Sequence, residues 1–261
     1  MANPYEIDIE QVIRSRFPKA PRLLTRFIKK LIHQDFLNGF FRNGYTGVEF
    51  CHEALKYLNI RIEVEGSIPE GGPYTFVSNH PLGGIDGLAL LDLIGSNGKE
   101  VRLLGNDFLA AIKGLAPMIV PISKVGMQSR SLKSNIDQAF RSDVNMLVCP
   151  AGKVSRKTGG VIQDQKWAKT FLQKSIETHR DIVPMHFIGE NSRRFYRIGR
   201  MEKFFQLRFP LGMLFLPDEM YRAQGSTYRV VIGQPIDYKT FDSSKSLNDW
   251  AQDIRKTVYE L

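Results

Sequence analysis

Phe76-Val77-Ser78-Asn79-His80-Pro81-Leu82-Gly83-Gly84-Ile85-Asp86-Gly87 is the stretch whose reading decides the fold. A short apolar run stops at Asn79-His80, crosses two glycines, and reopens at Asp86 into an apolar segment over residues 87–94. That is the pattern of a buried strand, a tight loop and a buried helix, the repeating unit of α/β sheets. Ligands of such sheets bind at the carboxyl ends of strands, which is where His80 falls. Asp86 follows six positions later, a spacing that suits no single helix face, but a loop through Gly83 and Gly84 can fold it back onto the imidazole. A carboxylate on Nδ1 would fix the tautomer, stabilise the imidazolium and leave Nε2 to take a proton. Two plainer roles stay open: Asp86 as a helix N-cap, and His80 as a structural histidine satisfied by its neighbours.

Working outward, the alternation repeats. Before this segment, the pattern predicts a helix over 47–58, an alternating strand over 60–65, a Pro/Gly turn at 69–73 and a strand over 74–78. After it come strands over 101–104, 118–122, 145–149, 182–186 and 228–232. Helices are expected over 108–113, 131–141, 165–178 and 247–259. The fold class is therefore α/β, a single domain with a mostly parallel mixed sheet flanked by helices. That domain is assigned residues 46–261.

Residues 1–45 read differently, as an N-terminal amphipathic helical lead-in. From Arg14 to Lys30 there are seven basic residues and no acidic ones. Beyond Pro21, Leu24, Phe27, Ile28, Leu31 and Ile32 recur on one helix face, with Arg22, Arg26, Lys29 and Lys30 on the rest. Such a helix suits an anionic membrane surface, and an ordinary surface helix packed on its own domain has the same pattern.

The 261 residues carry a net charge of +9 and a pI near 9.5, which favours anionic partners. Cys51 and Cys149 are too few for a disulfide framework, and no Cys/His metal spacing is present, so a reducing cytoplasmic compartment and no metal are expected. The acidic opening is unlike a signal peptide. No apolar run approaches eighteen residues, so no transmembrane helix is expected and any membrane contact is peripheral.

A second strand-to-turn junction lies at 147–157, where Cys149, Pro150, Ala151 and Gly152 lead into Lys153, Ser155, Arg156 and Lys157. Backbone amides beside cations make an anion cradle, and a basic surface loop looks the same from sequence.

Taken in order, Asn79-His80 with Asp86, Pro150-Ala151-Gly152 with Arg156, and the apolar-Pro strand at 182–185 resemble the glycerophospholipid acyltransferase family. Lysophosphatidic acid acyltransferases are its best-known members. The resemblance spans roughly residues 60 to 190. In detail it looks like a divergent bacterial, hemolysin-like branch linked to lyso-amino-acid lipids such as lyso-ornithine and lyso-glycine lipid. Two departures stand out. The first box is His-x5-Asp rather than His-x4-Asp, and Ala151 stands where the family has Glu. The second change argues against glycerol phosphate recognition and for another head group.

The resemblance implies a lyso-lipid O-acyltransferase that moves a fatty acyl group from a thioester to a lipid hydroxyl. His80 would be the general base and Asp86 its orienting carboxylate. Asn79, Lys124, Gly152, Lys153, Ser155 and Arg156 would contact substrate, with Pro184 shaping the acyl site. It implies no cofactor, with acyl carrier protein or coenzyme A thioester as co-substrate. The partners would be a lyso-lipid acceptor and the cytoplasmic face of an anionic membrane.

Other residues read as structural. Asn106-Asp107 is a turn and helix cap; His33, His52 and His179 are surface residues; Cys149 is core; His186, near Pro184, has a smaller claim on the site. A basic and aromatic cluster, from Arg193 to Phe209, suits a membrane interface or single-stranded nucleic acid. Nucleic-acid binding or a non-catalytic membrane-surface role is the alternative function. The absence of a Gly-x-Ser-x-Gly elbow argues against a serine hydrolase.

Overall fold

The computed structural model describes residues 3–122, 130–205 and 211–261. Along the chain its elements are α1 (Ile9–Arg16), α2 (Arg22–Leu31), α3 (Gln34–Phe41), α4 (Gly47–Tyr57), β1 (Arg61–Glu65), β2 (Thr75–Ser78), α5 (Gly84–Gly95), β3 (Val101–Asn106), α6 (Asp107–Ala110), β4 (Ile119–Ile122) and α7 (Arg130–Arg141). There follow β5 (Asn145–Val148), β6 (Arg156–Thr158), β7 (Val161–Gln163), α8 (Thr170–Glu177), β8 (Ile182–Ile188), α9 (Arg193–Phe204), α10 (Leu211–Arg222), β9 (Thr227–Ile232) and α11 (Leu247–Glu260).

Seven strands form one sheet in the order β1-β9-β8-β2-β5-β3-β4, and β6 with β7 makes a separate hairpin. β2, β3, β4, β5 and β8 run parallel. β9 is antiparallel to β8, and β1 runs parallel to β9, so these two strands oppose the rest. The sheet is thus mostly parallel and mixed. β2 and β5 are buried along their whole length because helices cover both faces.

Successive side chains of a strand point to opposite faces, and each face has its own core. Phe76, Leu147, Val183, Met185 and Phe187 pack with α4, α5 and the α3 residues Phe40 and Phe41. Val77, Met146, Val148 and Ile182 pack with Ile136 and Phe140 of α7, Phe171 and Leu172 of α8, and Ile254 and Val258 of α11. α5 is apolar on every side since it lies between sheet and outer helices, with Leu90 and Ile94 fully buried.

The N-terminal helices join this body closely. Ile7 exchanges backbone hydrogen bonds with the Asn38 side chain at 2.8 and 2.9 Å. His33 Nε2 lies 2.9 Å from Asp218 Oδ1 of α10, and its ring stacks on Tyr221. His33 is therefore partly buried in an interhelical contact rather than a free surface residue.

The chain leaves β2 toward β3 and β4, returns to β5, then crosses β2 to reach β8. The carboxyl ends of β2 and β5 thus form the switch point at which ligands bind in open α/β sheets. His80 and Cys149 sit there.

Candidate active site

The β2 ladder ends at Ser78, and the chain then turns sharply through Pro81 to Gly83. Gly83 has φ +88°, and a Cβ there would approach Leu216 at 3.0 Å and Val154 at 3.2 Å, so both backbone and space require glycine. This turn absorbs the extra residue of the His-x5-Asp spacing. α5 starts at Gly84, three residues earlier than the apolar pattern suggests, and Asp86 falls in its first turn.

Asp86 is fully buried. Oδ2 accepts from Leu82 N at 2.8 Å and Gly83 N at 3.2 Å, and Oδ1 accepts from Gly87 N at 2.7 Å. Asp86 also lies 3.0 Å, through Oδ1, from His80 Nδ1. The capping and imidazole-facing roles are therefore combined in one carboxylate. The His80–Asp86 contact has the distance of an ion pair but lacks hydrogen-bond alignment at Nδ1. Catalytic hydrogen bonds commonly tighten only when substrate is bound. The His80 side chain keeps 22% exposure, enough to meet a substrate hydroxyl.

Burial disfavours the His80 imidazolium, but the Asp86 carboxylate outweighs it and holds the ring well above its ordinary value. Cys149, just beyond β5, lies within interaction reach of the same ring, and burial pushes its thiol up. A protonated thiol carries no charge, so Asp86 is the source of the His80 shift. The reading of Cys149 as plain core missed this contact; its position at the same strand edge as His80 was the available signal.

The other expected site residues divide. Asn79 is buried, and its side chain donates to Phe187 O at 2.9 Å and accepts from Phe187 N at 2.8 Å. It extends the β2–β8 pairing beyond the ladder. Ser155 is buried too, and its hydroxyl donates to Asp164 at 2.6 Å while its backbone N donates to His80 O at 2.8 Å. Asn79 thus braces the strand end beside His80, and Ser155 holds the His80 carbonyl through its backbone. Gly152 turns at φ +62°, and Lys153 is exposed beside it. Pro184, in mid-strand opposite Val77, packs against Gly233 near Leu261. Lys124 lies outside the described residues.

Arg156 is a half-buried cation over the Phe195 ring, 5.2 Å from its centroid. Nη1 donates to Val154 O at 3.1 Å, and burial draws the guanidinium below its ordinary value. Its Nη2 lies 3.4 Å from where a Cβ at Gly212 would stand. The arrangement suits an anionic head group. Asn191 donates to Pro81 O at 2.8 Å and so ties α9's entry to the His80 loop.

This geometry places a His/Asp pair, unaccompanied by a serine nucleophile elbow, at the switch point of an α/β sheet. A family described as Acyltransferase matches residues 11–261, and the chain belongs to this acyltransferase family. It is 43% identical over 265 residues to a lyso-glycine lipid O-acyltransferase of Phocaeicola vulgatus, covering 98% of this chain and 95% of that protein. A protein of the same description from Bacteroides thetaiotaomicron is 41% identical over 264 residues, covering 98% and 97%. In fold it resembles the crystal structure of the 1-acyl-sn-glycerophosphate (LPA) acyltransferase PlsC from Thermotoga maritima, with a TM-score of 0.51. That likeness spans 96% of this chain and 87% of that one at 17% identity, and it is one of fold. The chain is an acyltransferase.

Proposed function

We propose that this acyltransferase moves a fatty acyl group from a thioester to the hydroxyl of a lyso-lipid at a membrane surface, with lyso-glycine lipid the favoured acceptor. The observation that carries the mechanism is the 3.0 Å approach of Asp86 Oδ1 to His80 Nδ1 at the carboxyl end of β2. His80 Nε2 takes the acceptor O–H proton as its oxygen attacks the thioester carbonyl. The tetrahedral oxyanion collapses, the C–S bond breaks, and the imidazolium returns its proton to the departing thiolate. Asp86 stabilises the imidazolium between these steps. The donor is acyl carrier protein or coenzyme A thioester.

The two curated relatives, over nearly full length, support the acceptor. A glycine joined to a lipid through its nitrogen keeps its carboxylate, and Arg156 offers a planar cation for it. Ala151, in place of the family's Glu, fits a head group other than glycerol phosphate.

Membrane contact is supported by exposed apolar side chains beside cations. Leu23 (79% exposed), Leu24 and Phe27 stand out from α2, and Met201, Phe204 (81%) and Phe205 stand out at the end of α9. α10 packs against both helices, which places these groups on connected elements. No described helix is long and apolar enough to cross a membrane.

The test is transfer of labelled acyl groups from each donor to lysophosphatidic acid, lyso-ornithine lipid and lyso-glycine lipid. Label in lyso-glycine lipid above the other acceptors is the expected result. Preferred labelling of lysophosphatidic acid would overturn the acceptor assignment, and no transfer to any acceptor would overturn the reaction.

A further inference from the structure

We propose that Asp164 is the positioning residue of this site, fixing the His80 peptide through a carboxylate shared with Ser155. The inference rests on the reading of His80 as general base.

The sheet stops holding the chain one step before the imidazole. β2 pairs with β5 as far as Val77 and with β8 as far as Ser78. The side chain of Asn79 prolongs the β8 contact. The N–H and C=O of His80 then need other partners, as buried backbone groups do. Asp164 Oδ1 accepts from His80 N at 3.2 Å, and Ser155 N donates to His80 O at 2.8 Å. The β6–β7 hairpin segment thus grips both polar groups of the peptide that carries the imidazole.

Asp164 is built for that task. Its side chain is buried. Oδ1 also accepts from Ser155 Oγ at 2.6 Å, and Oδ2 accepts from Trp167 Nε1 at 2.9 Å. Its own peptide is anchored to α11: its N–H donates to the Tyr259 hydroxyl and its carbonyl accepts from Arg255 Nη2, both at 2.7 Å. A linked path therefore runs from α11 through Asp164 to His80. Burial raises the Asp164 carboxyl, while the hydrogen bonds from Ser155, Trp167 and the His80 N–H favour its ionised form, so carboxylate and donors hold one another in place. Since Nδ1 lacks an aligned hydrogen bond of its own, the placement of the ring depends on how its peptide is held.

An amide cannot replace this carboxylate. Three donors converge on its two oxygens, and asparagine brings a donor in place of one. Either Trp167 Nε1, or His80 N and Ser155 Oγ, would face an N–H.

The experiment compares wild type, Asp164→Asn, Ser155→Ala and His80→Ala in steady-state acyl transfer, with thermal melting of each. Misplacement of a catalytic group by about 1 Å costs on the order of 100-fold. Asp164→Asn is expected to lose about that factor in kcat, with KM for donor and acceptor within about twofold. Ser155→Ala keeps the Ser155 N–H and removes one donor, so its kcat falls by about tenfold, one hydrogen bond's worth. A folded Asp164→Asn with kcat within about threefold of wild type overturns the proposal, and so does a raised KM at unchanged kcat. Should Asp164→Asn fail to fold, Ser155→Ala decides: loss of kcat alone supports the proposal, and wild-type kcat overturns it. An inactive His80→Ala beside a fully active Asp164→Asn sinks only this inference, whereas an active His80→Ala sinks the general-base reading itself.

Discussion

Asp86→Asn changes one atom and presents the protein with two bad alternatives. The carboxylate accepts from Leu82 N and Gly83 N on Oδ2, and from Gly87 N on Oδ1, which also faces His80 Nδ1. If the amide oxygen stays with Leu82 and Gly83, the new NH2 points at the imidazole and leaves one backbone donor, Gly87 N, without its acceptor. His80 must then present a bare Nδ1 and carry its proton on Nε2, the nitrogen that should accept the substrate proton. If the amide flips, the oxygen faces His80 but two backbone N–H groups meet a donor. Each such unsatisfied group costs about 1–3 kcal/mol. The first arrangement is the cheaper in stability and the worse in chemistry. The same exchange in a serine-protease triad lowers turnover by about 10⁴ through the wrong tautomer. The Nδ1 contact here, 3.0 Å but unaligned, sets the loss at about 10²–10⁴, or roughly 3–5 kcal/mol of transition-state stabilisation. Steady-state transfer measures it, with melting temperature as the control for folding. A folded Asp86→Asn protein that keeps more than about a tenth of wild-type kcat/KM would refute the tautomer argument and leave Asp86 as a cap alone.

Three further outcomes follow from the structure. Because Asp86 holds His80 above its ordinary value, kcat/KM should rise with pH through a midpoint above about 6.5. Removing the negative charge in Asp86→Asn should move any residual midpoint downward; an unmoved midpoint would assign the titration to another group. The shift also makes a stabilising contribution present in full below about pH 6.5 and lost as pH rises through the higher folded-state value. Arg180→Met should lower stability by at least about 1–3 kcal/mol, read by urea denaturation, because the buried guanidinium donates to Phe140 O, Val144 O and Ser142 O at the end of α7, and a buried carbonyl left unsatisfied costs about that much. It lies at the amino edge of the sheet, so kcat of the folded fraction should be unchanged, and a stable but inactive variant would contradict this. Replacing Arg26, Lys29 and Lys30 by Gln should weaken binding to anionic vesicles by up to roughly 100-fold at low salt, at about 1 kcal/mol per cation. Lys29 is partly spent on Asp35, 3.1 Å away, so it should contribute least, and unchanged binding would move the membrane contact elsewhere.

The sequence was most legible where burial leaves the chain few choices. The run at 76–78 and the apolar helix after Asp86 are covered on both faces, so their composition announces them, and the parallel core followed. The reversal of β1 and β9 was not legible, because Arg61 pairs with Thr227 across most of the chain. The β6–β7 hairpin lies mostly beyond the strand-to-turn junction read at 147–157, although Gly159-Gly160 between short alternating runs is a hairpin signal. α10 is absent from the sequence pattern above, and Pro217, a residue that ordinarily ends a helix, lies inside it. α8 starts at Thr170, later than the pattern over 165–178 predicts: the preceding residues are tied down outside the helix at Trp167, whose backbone N and indole donate to Gln252 and Asp164. At the site, the approach of Asp86 to His80 was readable from two glycines and a spacing. The burial of Asn79 was not, since its partner Phe187 lies 108 residues away and such a bond leaves no local trace. Ser155 and Asp164 are close in sequence, but they meet only because the β6–β7 hairpin between them folds back on itself.

The central claim is that His80 removes the acceptor proton. Single-turnover acyl transfer by wild type and His80→Ala, at saturating lyso-glycine lipid and with both proteins shown folded by melting, tests it most directly. The account predicts a loss of at least about 10³ in the transfer rate, within reach of the 10²–10⁴ supplied by a general base. Transfer by His80→Ala within about tenfold of wild type would contradict it.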